Sequence, residues 1–190
     1  MVTNRRFCRF NSGASISLGK MDDPLLGMKN IPEGGVCLSA FLVISARKKR
    51  QSILMGYLNP SAPWDHIGAL DQSRIKVHSQ GWMLPSSHLQ VHESPQAAAK
   101  RIADEQLSKP DLPLSEPLVV SEVYTPKRFP NLPTHWDIEF IFRGELDEDT
   151  LSQNDAWKEL RFVDIPRTLK SKIARSHGDI LESAGIKFAD

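Results

Sequence analysis

Hydrophobic and polar positions alternate along this chain in two distinguishable rhythms. Val36 to Ser45 (VCLSAFLVIS) and Ser52 to Leu58 (SILMGYL) are short runs of β-forming residues, and they flank the polar stretch Ala46 to Gln51 (ARKKRQ). Two such runs about a short polar segment predict a β-hairpin, with the basic run Arg47 to Arg50 at its solvated tip. Trp136 to Phe142 (WDIEFIF) places Trp136, Ile138, Phe140 and Phe142 at every second position. That period marks a strand with one buried face. Leu118 to Tyr124 (LVVSEVY) predicts another strand, and Leu160 to Val163 a short last one. Ser94 to Leu107 reads as a helix: Ser94 suits the N-cap, Pro95 the first turn, and Lys109-Pro110 the stop. Arg167 to Ala184 predicts a terminal helix. Asn59 to Gln80, with Pro60, Pro63 and Gly68, reads as irregular, and Thr125 to Thr134 (TPKRFPNLPT) as a loop. A hairpin within the order strands, helix, strands, helix requires a mixed sheet, and two helices can cover its two faces. The expected fold class is α+β, an α/β/α sandwich.

A chain of 190 residues fits one domain with room for a terminal extension. Residues 1–33 are expected to be an N-terminal extension, largely disordered, and 34–190 the domain. Residues 1–20 carry Arg5, Arg6, Arg9 and Lys20 without an acid, so the rest holds 20 bases against 23 acids. No long apolar core or small-residue cleavage pattern in that stretch supports a secretory signal. The net charge of +1 gives no reason to expect a polyanionic partner. No apolar run approaches the roughly 18 to 20 residues of a membrane span, so no membrane partner is expected. Cys8 and Cys37 stand far apart with no CxxC or Cys/His ligand spacing, which argues against zinc and disulfide frameworks. Cys37 reads as a small core residue, and a cytoplasmic location fits.

The candidate chemistry lies between Trp82 and Lys109 (WMLPSSHLQVHESPQAAAKRIADEQLSK). Leu84-Pro85 lead into Ser86, Ser87 and His88, a stretch expected to be a loop between strand and helix. Glu93 follows Ser87 by six positions, Arg101 follows Glu93 by eight, and Glu105 and Gln106 lie just beyond. This arrangement resembles the Nudix box, G-x5-E-x7-R-E-U-x-E-E-x-G-U with U aliphatic. The flanking W-x-L-P, the run Glu93 to Arg101 (ESPQAAAKR) and the later H-W-x-x-x-F at His135 to Phe140 strengthen the resemblance. The copy is degenerate. Ser87 stands at the motif glycine, Ile102 at the first carboxylate after the arginine, Gln106 at the second of the paired glutamates, and Ser108 at the late glycine. A chance motif in another α+β domain is the competing explanation.

The resemblance implies enzymes that use Mg²⁺ or Mn²⁺ to hydrolyse a nucleoside diphosphate linked to another group. In that scheme Glu93, Arg101 and Glu105 are the retained catalytic-site residues, with the arginine anchored by the two carboxylates. Arg101 and Glu105 are four apart and share a helix face. Glu105 is then the surviving metal ligand, a weak one alone, and Gln106 a degenerate metal position offering one neutral oxygen. Hard cations take several oxygen ligands, carboxylates above all, and Ile102 offers none. Ile102 instead extends the apolar stripe of Ala99, Ala103 and Leu107. His88, Gln90 and His92 are an alternative set for a softer metal, and Glu122, Glu139 and Asp155 are acids on later elements among which the motif does not choose. Trp64, Trp82, Trp136, Tyr124 and Phe129 are candidates for stacking a nucleobase, although Trp82 and Trp136 read as core. Phe129 with Lys127 and Arg128 is the best-placed surface contact. Two readings follow. One is a Nudix-like protein, catalytically impaired by an incomplete metal site, that binds a nucleotide-type molecule, a nucleic acid or a protein. The other is an active metal-dependent hydrolase that recruits ligands outside the box.

Overall fold

The computed structural model describes residues 32–124, 133–152 and 154–188. The expectations for residues 1–31, and for Lys127, Arg128 and Phe129, lie outside the described residues. Six strands form one sheet: β1 (Val36–Ala46), β2 (Lys49–Leu58), β3 (Ser86–His88), β4 (Leu118–Tyr124), β5 (His135–Leu146) and β6 (Trp157–Asp164). Their order is β4-β5-β1-β2-β6, with β3 paired to β1. The β1–β5 pair is parallel and the others antiparallel. The sheet is therefore mixed, as the hairpin requires, and the α+β class holds.

Strand periodicity sorts the apolar side chains into two cores. Ala40, Leu42, Ile44, Leu54 and Phe142 face the helix α3 (Pro95–Leu107), which contributes Ala98, Ala99, Ile102, Ala103 and Leu107. Phe41, Val43, Ile53, Met55 and Ile141 face the other way and meet Ile180, Leu181 and Ala184 of the C-terminal segment. Helix α3 starts as its sequence dictates: Ser94 Oγ accepts the Ala97 N–H at 3.1 Å, and Pro95 fills the first turn.

Three expectations are corrected. The stretch 59–80 is not wholly irregular: it holds α1 (Trp64–Ile67) and α2 (Gln72–His78). Pro63 and Gly68 bracket α1 as its caps, and Asp71 caps α2 by accepting the Arg74 N–H. Ser86–His88 is a strand, not a loop, because it pairs with Ser39, Ala40 and Phe41 of β1. The terminal helix shrinks to α4 (His177–Ser183), preceded by 3₁₀ turns at Ile165–Arg167 and Lys170–Lys172. Left-handed backbone at Arg175 and Ser176 stops a continuous helix from forming there.

Gly56 is a close-approach glycine. A Cβ there would collide with the Trp157 indole, which lies across it from β6. That packing carries Trp157 over to α3, where its Nε1 donates to the Gln106 carbonyl at 2.7 Å.

Candidate functional site

The segment from β3 into α3 is drawn together around Arg101. Its Nε donates to Glu93 Oε1 at 2.7 Å and its Nη2 to Glu93 Oε2 at 2.9 Å, a two-pronged pair. Nη2 also reaches the His88 carbonyl at 3.0 Å, and Nη1 reaches Glu105 Oε2 at 3.3 Å. Glu93 Oε2 accepts the Gln90 N–H at 2.8 Å, closing the loop on itself. Burial pushes the Glu93 carboxyl up, but the Arg101 and Gln90 bonds outweigh it and hold the group below the usual carboxylate range. Burial likewise opposes the Arg101 charge, and Glu93 and Glu105 more than restore it. The structure thus brings Glu93, Arg101 and Glu105 into one network that ties strand, loop and helix.

Gln106 and Ile102 face the other way. Both are 0% exposed. The Gln106 carboxamide is fully engaged: Oε1 accepts the Ser86 N–H at 3.1 Å, and Nε2 donates to the carbonyls of Ser86 at 2.9 Å and Ile67 at 2.7 Å. Ile102 belongs to a core that includes Trp64, Leu70, Met83 and Trp157. Trp64 and Trp157 meet edge to face with centroids 4.9 Å apart. Side chains from the α1 region, β6 and the box therefore close over the helix face where the resemblance would place metal ligands.

Ser87, at the motif glycine, sits in β3 and is not among the positive-φ residues, so serine meets no steric penalty there. The late-glycine position keeps its left-handed backbone with serine in place: Ser108 has φ 55° and ends α3 through N–H bonds from Ser108 to Asp104 and from Lys109 to Ala103. Glu105 borders a cleft of about 490 Å³ that Asp155 also lines. These two carboxylates are the acids of that cleft, and one Glu105 oxygen is already held by Arg101. Among the described residues no three His, Cys, Asp or Glu side chains group as a metal site requires. His88 Nε2 lies 3.3 Å from Cys37 Sγ, and His92 is exposed with φ 64°. The residues present do not fit the divalent metal that the box resemblance implies. Of the aromatic candidates, Trp64 and Trp82 are buried, whereas Trp136 is half-buried rather than core.

The opposite face of the sheet carries polar chemistry that the box does not point to. Glu139 of β5 is 9% exposed, and its carboxyl is pushed up to about 8 by burial, then by Asp137, Glu122 and Asp179. Arg175 Nη1 is buried and has no hydrogen-bond partner among the described residues. Burial lowers that guanidinium to about 10, with Arg74 adding to the effect. Nearby, His177 Nδ1 accepts the Leu84 N–H at 2.9 Å, and burial holds its ring well below the usual histidine range. The alternation of WDIEFIF already put Asp137 and Glu139 on one face, but their neighbours come from β4 and the C-terminal segment, which no local pattern joins.

Glu139 sets a pH prediction. A carboxyl raised from 4.5 to about 8 in the folded state contributes stability that is fully present below the unfolded value and is lost as pH rises through the folded one. Wild-type stability should therefore fall across that window, and Glu139→Gln should flatten the fall. Between about pH 4 and 9 the difference between the two proteins should move in the variant's favour by up to about 5 kcal/mol, read from urea unfolding. Parallel curves for the two proteins from about pH 5 to 9 would show that Glu139 ionises normally.

Among solved structures, the E. coli dihydroneopterin triphosphate pyrophosphohydrolase superposes with a TM-score of 0.55 at 13% identity, over 78% of this chain and 94% of that one. The NUDIX domain of Shewanella oneidensis NrtR, solved with ADP ribose, gives 0.54 at 14% identity, over 78% and 85%. A mutT/nudix family protein from Listeria innocua gives 0.55 at 20% identity, over 78% and 90%. No protein-family model and no curated protein sequence matches the chain. The chain has the fold of the Nudix hydrolases. At these identities the likeness is one of fold.

Proposed function

We propose that this chain is a Nudix-fold binding protein whose pyrophosphohydrolase chemistry is impaired, and that its ligand is a nucleoside diphosphate derivative. The observation that carries this reading is the closed helix face: Ile102 and Gln106 are wholly buried, and the Gln106 carboxamide is spent on Ser86 and Ile67. Catalysis in this fold would need carboxylates there to hold a cation against the pyrophosphate oxygens. The network of Glu93, Arg101 and Glu105 then serves architecture. The ligand class rests on the fold and on the ADP ribose bound by the Shewanella NUDIX domain. The rival reading, a hydrolase with a rebuilt site, has one observation in its favour: Glu105 and Asp155 line the same cleft.

Two measurements on the full chain separate these readings. Thermal unfolding is followed with ADP ribose and other nucleoside diphosphate derivatives in EDTA. Binding raises stability by about 2.7 kcal/mol when the ligand stands at a hundred times its Kd. Nucleotide or phosphate release from the same panel is then assayed with Mg²⁺, Mn²⁺ and EDTA, beside Glu105→Ala. A metal-independent rise in Tm without turnover is the expected result. Metal-dependent turnover that Glu105→Ala abolishes would overturn the proposal and make Asp155 the first residue to replace.

A further inference from the structure

The box loop closes on the start of β1, where the Leu89 N–H meets the Leu38 carbonyl at 3.0 Å. A groove opens near the other end of that strand, beside Val43 and Ser45, on the sheet face that α4 packs against. Val43 and Ile53 form its floor, and the segment after α4 forms its wall. Local chemistry fixes that wall. Gly185 takes φ 75° and ends α4, with its N–H on the Glu182 carbonyl at 2.8 Å and the Ile186 N–H on the Leu181 carbonyl at 2.9 Å. Ile186 is thereby turned back onto the core that holds Leu181. The groove measures about 580 Å³, the size of a site for one small molecule.

Three bases line it, each from a different part of the chain: Arg50 of β2, Arg143 of β5 and Lys187 beyond α4. Among the described residues the one acid in the lining is Glu145, 4.0 Å from Arg50. Three bases against one acid leave a surplus of two positive charges here, in a chain whose net charge is +1. Other exposed arginines have carboxylates close by: Arg47 meets Asp147 at 3.2 Å, Arg161 meets Glu159 at 3.1 Å and Arg167 meets Asp164 at 3.5 Å. Among the described residues neither Arg143 nor Lys187 has such a partner. Arg143 Nη2 instead donates to the Ala184 carbonyl at 2.7 Å, which pins the guanidinium beside the end of α4 and leaves its other donors turned to no carboxylate. A cleft that gathers one sign of charge over a low-dielectric floor attracts the opposite sign.

We infer that this groove binds a soluble phosphate monoester. The charge selects the head group. A phosphate monoester carries about −1.5 to −2 at neutral pH, which matches the surplus, whereas a carboxylate would cancel half of it. The planar fork of Arg143 suits phosphate oxygens. The volume selects an ester over the bare ion, because the groove has room for more than a phosphate, and the partly exposed Ile186 gives the rest of the molecule an apolar wall. This site does not depend on the reading of the box. ADP ribose has a pyrophosphate and no monoester, so its binding tests that reading and not this one.

The test uses the full chain and phenyl phosphate, with binding followed by calorimetry. Saturable binding is expected, at least about tenfold tighter than that of inorganic phosphate or of phenol. It should weaken as pH falls through about 6, where the monoester loses its second charge while arginine and lysine keep theirs. Among the described residues no histidine lines the groove to blur that profile. Arg143→Gln and Lys187→Gln should each weaken binding about tenfold, the worth of one hydrogen bond between charged groups, with an unchanged circular dichroism spectrum. Lys187→Gln keeps the test open if losing the Arg143 bond to Ala184 loosens the end of α4. Absence of saturable binding overturns the proposal. So does binding that neither substitution weakens, binding that inorganic phosphate equals, or capture by phosphatidate vesicles with none of the soluble monoester.

Discussion

Completing the box by the double change Ile102→Glu and Gln106→Glu is expected to unfold the domain rather than create a metal site. On sequence alone the two changes supply missing ligands. In the structure both positions are 0% exposed. A carboxylate at 102 would lie in the apolar core that also holds Trp64, Leu70, Met83 and Trp157, where Ile102 now packs. The effective penalty for burying an unpaired ion is several kcal/mol even after relaxation. Glutamate at 106 keeps an acceptor for the Ser86 N–H but loses the donor that now satisfies the Ser86 and Ile67 carbonyls, so oxygen would meet oxygen at two contacts. Leaving buried acceptors unsatisfied costs about 1–3 kcal/mol each. Together these exceed about 5 kcal/mol, comparable with the whole stability of many domains. The expected observation is loss of cooperative unfolding by circular dichroism, with no rescue by Mn²⁺. A folded double variant that binds Mn²⁺ would mean that α1 and Trp157 can swing clear of the helix, and the closed-face reading would fail.

The same contrast explains how far the sequence could be read. The strands were legible where alternation was strong, as in WDIEFIF, and helix α3 was legible because its cap and stop are local chemistry. Residues 59–80 misled because Pro63 and Gly68 read as breakers, whereas they bracket a single helical turn that packs on α3. Strand β3 is short and polar, and its extended state comes from pairing with β1, 45 to 49 residues earlier in the chain. Within the site, Arg101 with Glu105 follows from helix spacing, and Glu93 from the loop that folds back onto it. The burial of Ile102 was readable from the apolar stripe. The task of Gln106 was not, because its partners Ser86 and Ile67 are brought to it by tertiary structure. Glu139 was visible as an acid but not as a perturbed one, since Glu122 and Asp179 reach it from other elements.

Arg101→Ala should destabilise the protein by about 3 kcal/mol, the lower end of what removing one partner of a buried pair costs. Its side chain is 14% exposed and that of Glu93 11%, so solvent screens the pair little. The loss has three parts: the two-pronged bond to Glu93, the bond to the His88 carbonyl, and the weaker contact with Glu105. Without the guanidinium, burial acts on Glu93 against the Gln90 N–H bond only, so its carboxyl rises relative to wild type. The sign of the pH effect follows. In wild type the depressed Glu93 contributes stability that is present above its unfolded value of 4.5 and is lost as pH falls through the folded value. In the variant that contribution shrinks to what the Gln90 N–H supplies, so the two proteins should differ most near neutrality and converge under acid. Arg101→Lys keeps the charge but not the planar fork, and should fall between them. Urea unfolding at neutral and acid pH reads all three. A variant as stable as wild type at neutrality would remove the architectural role from this network and return Arg101 to the list of residues kept for chemistry.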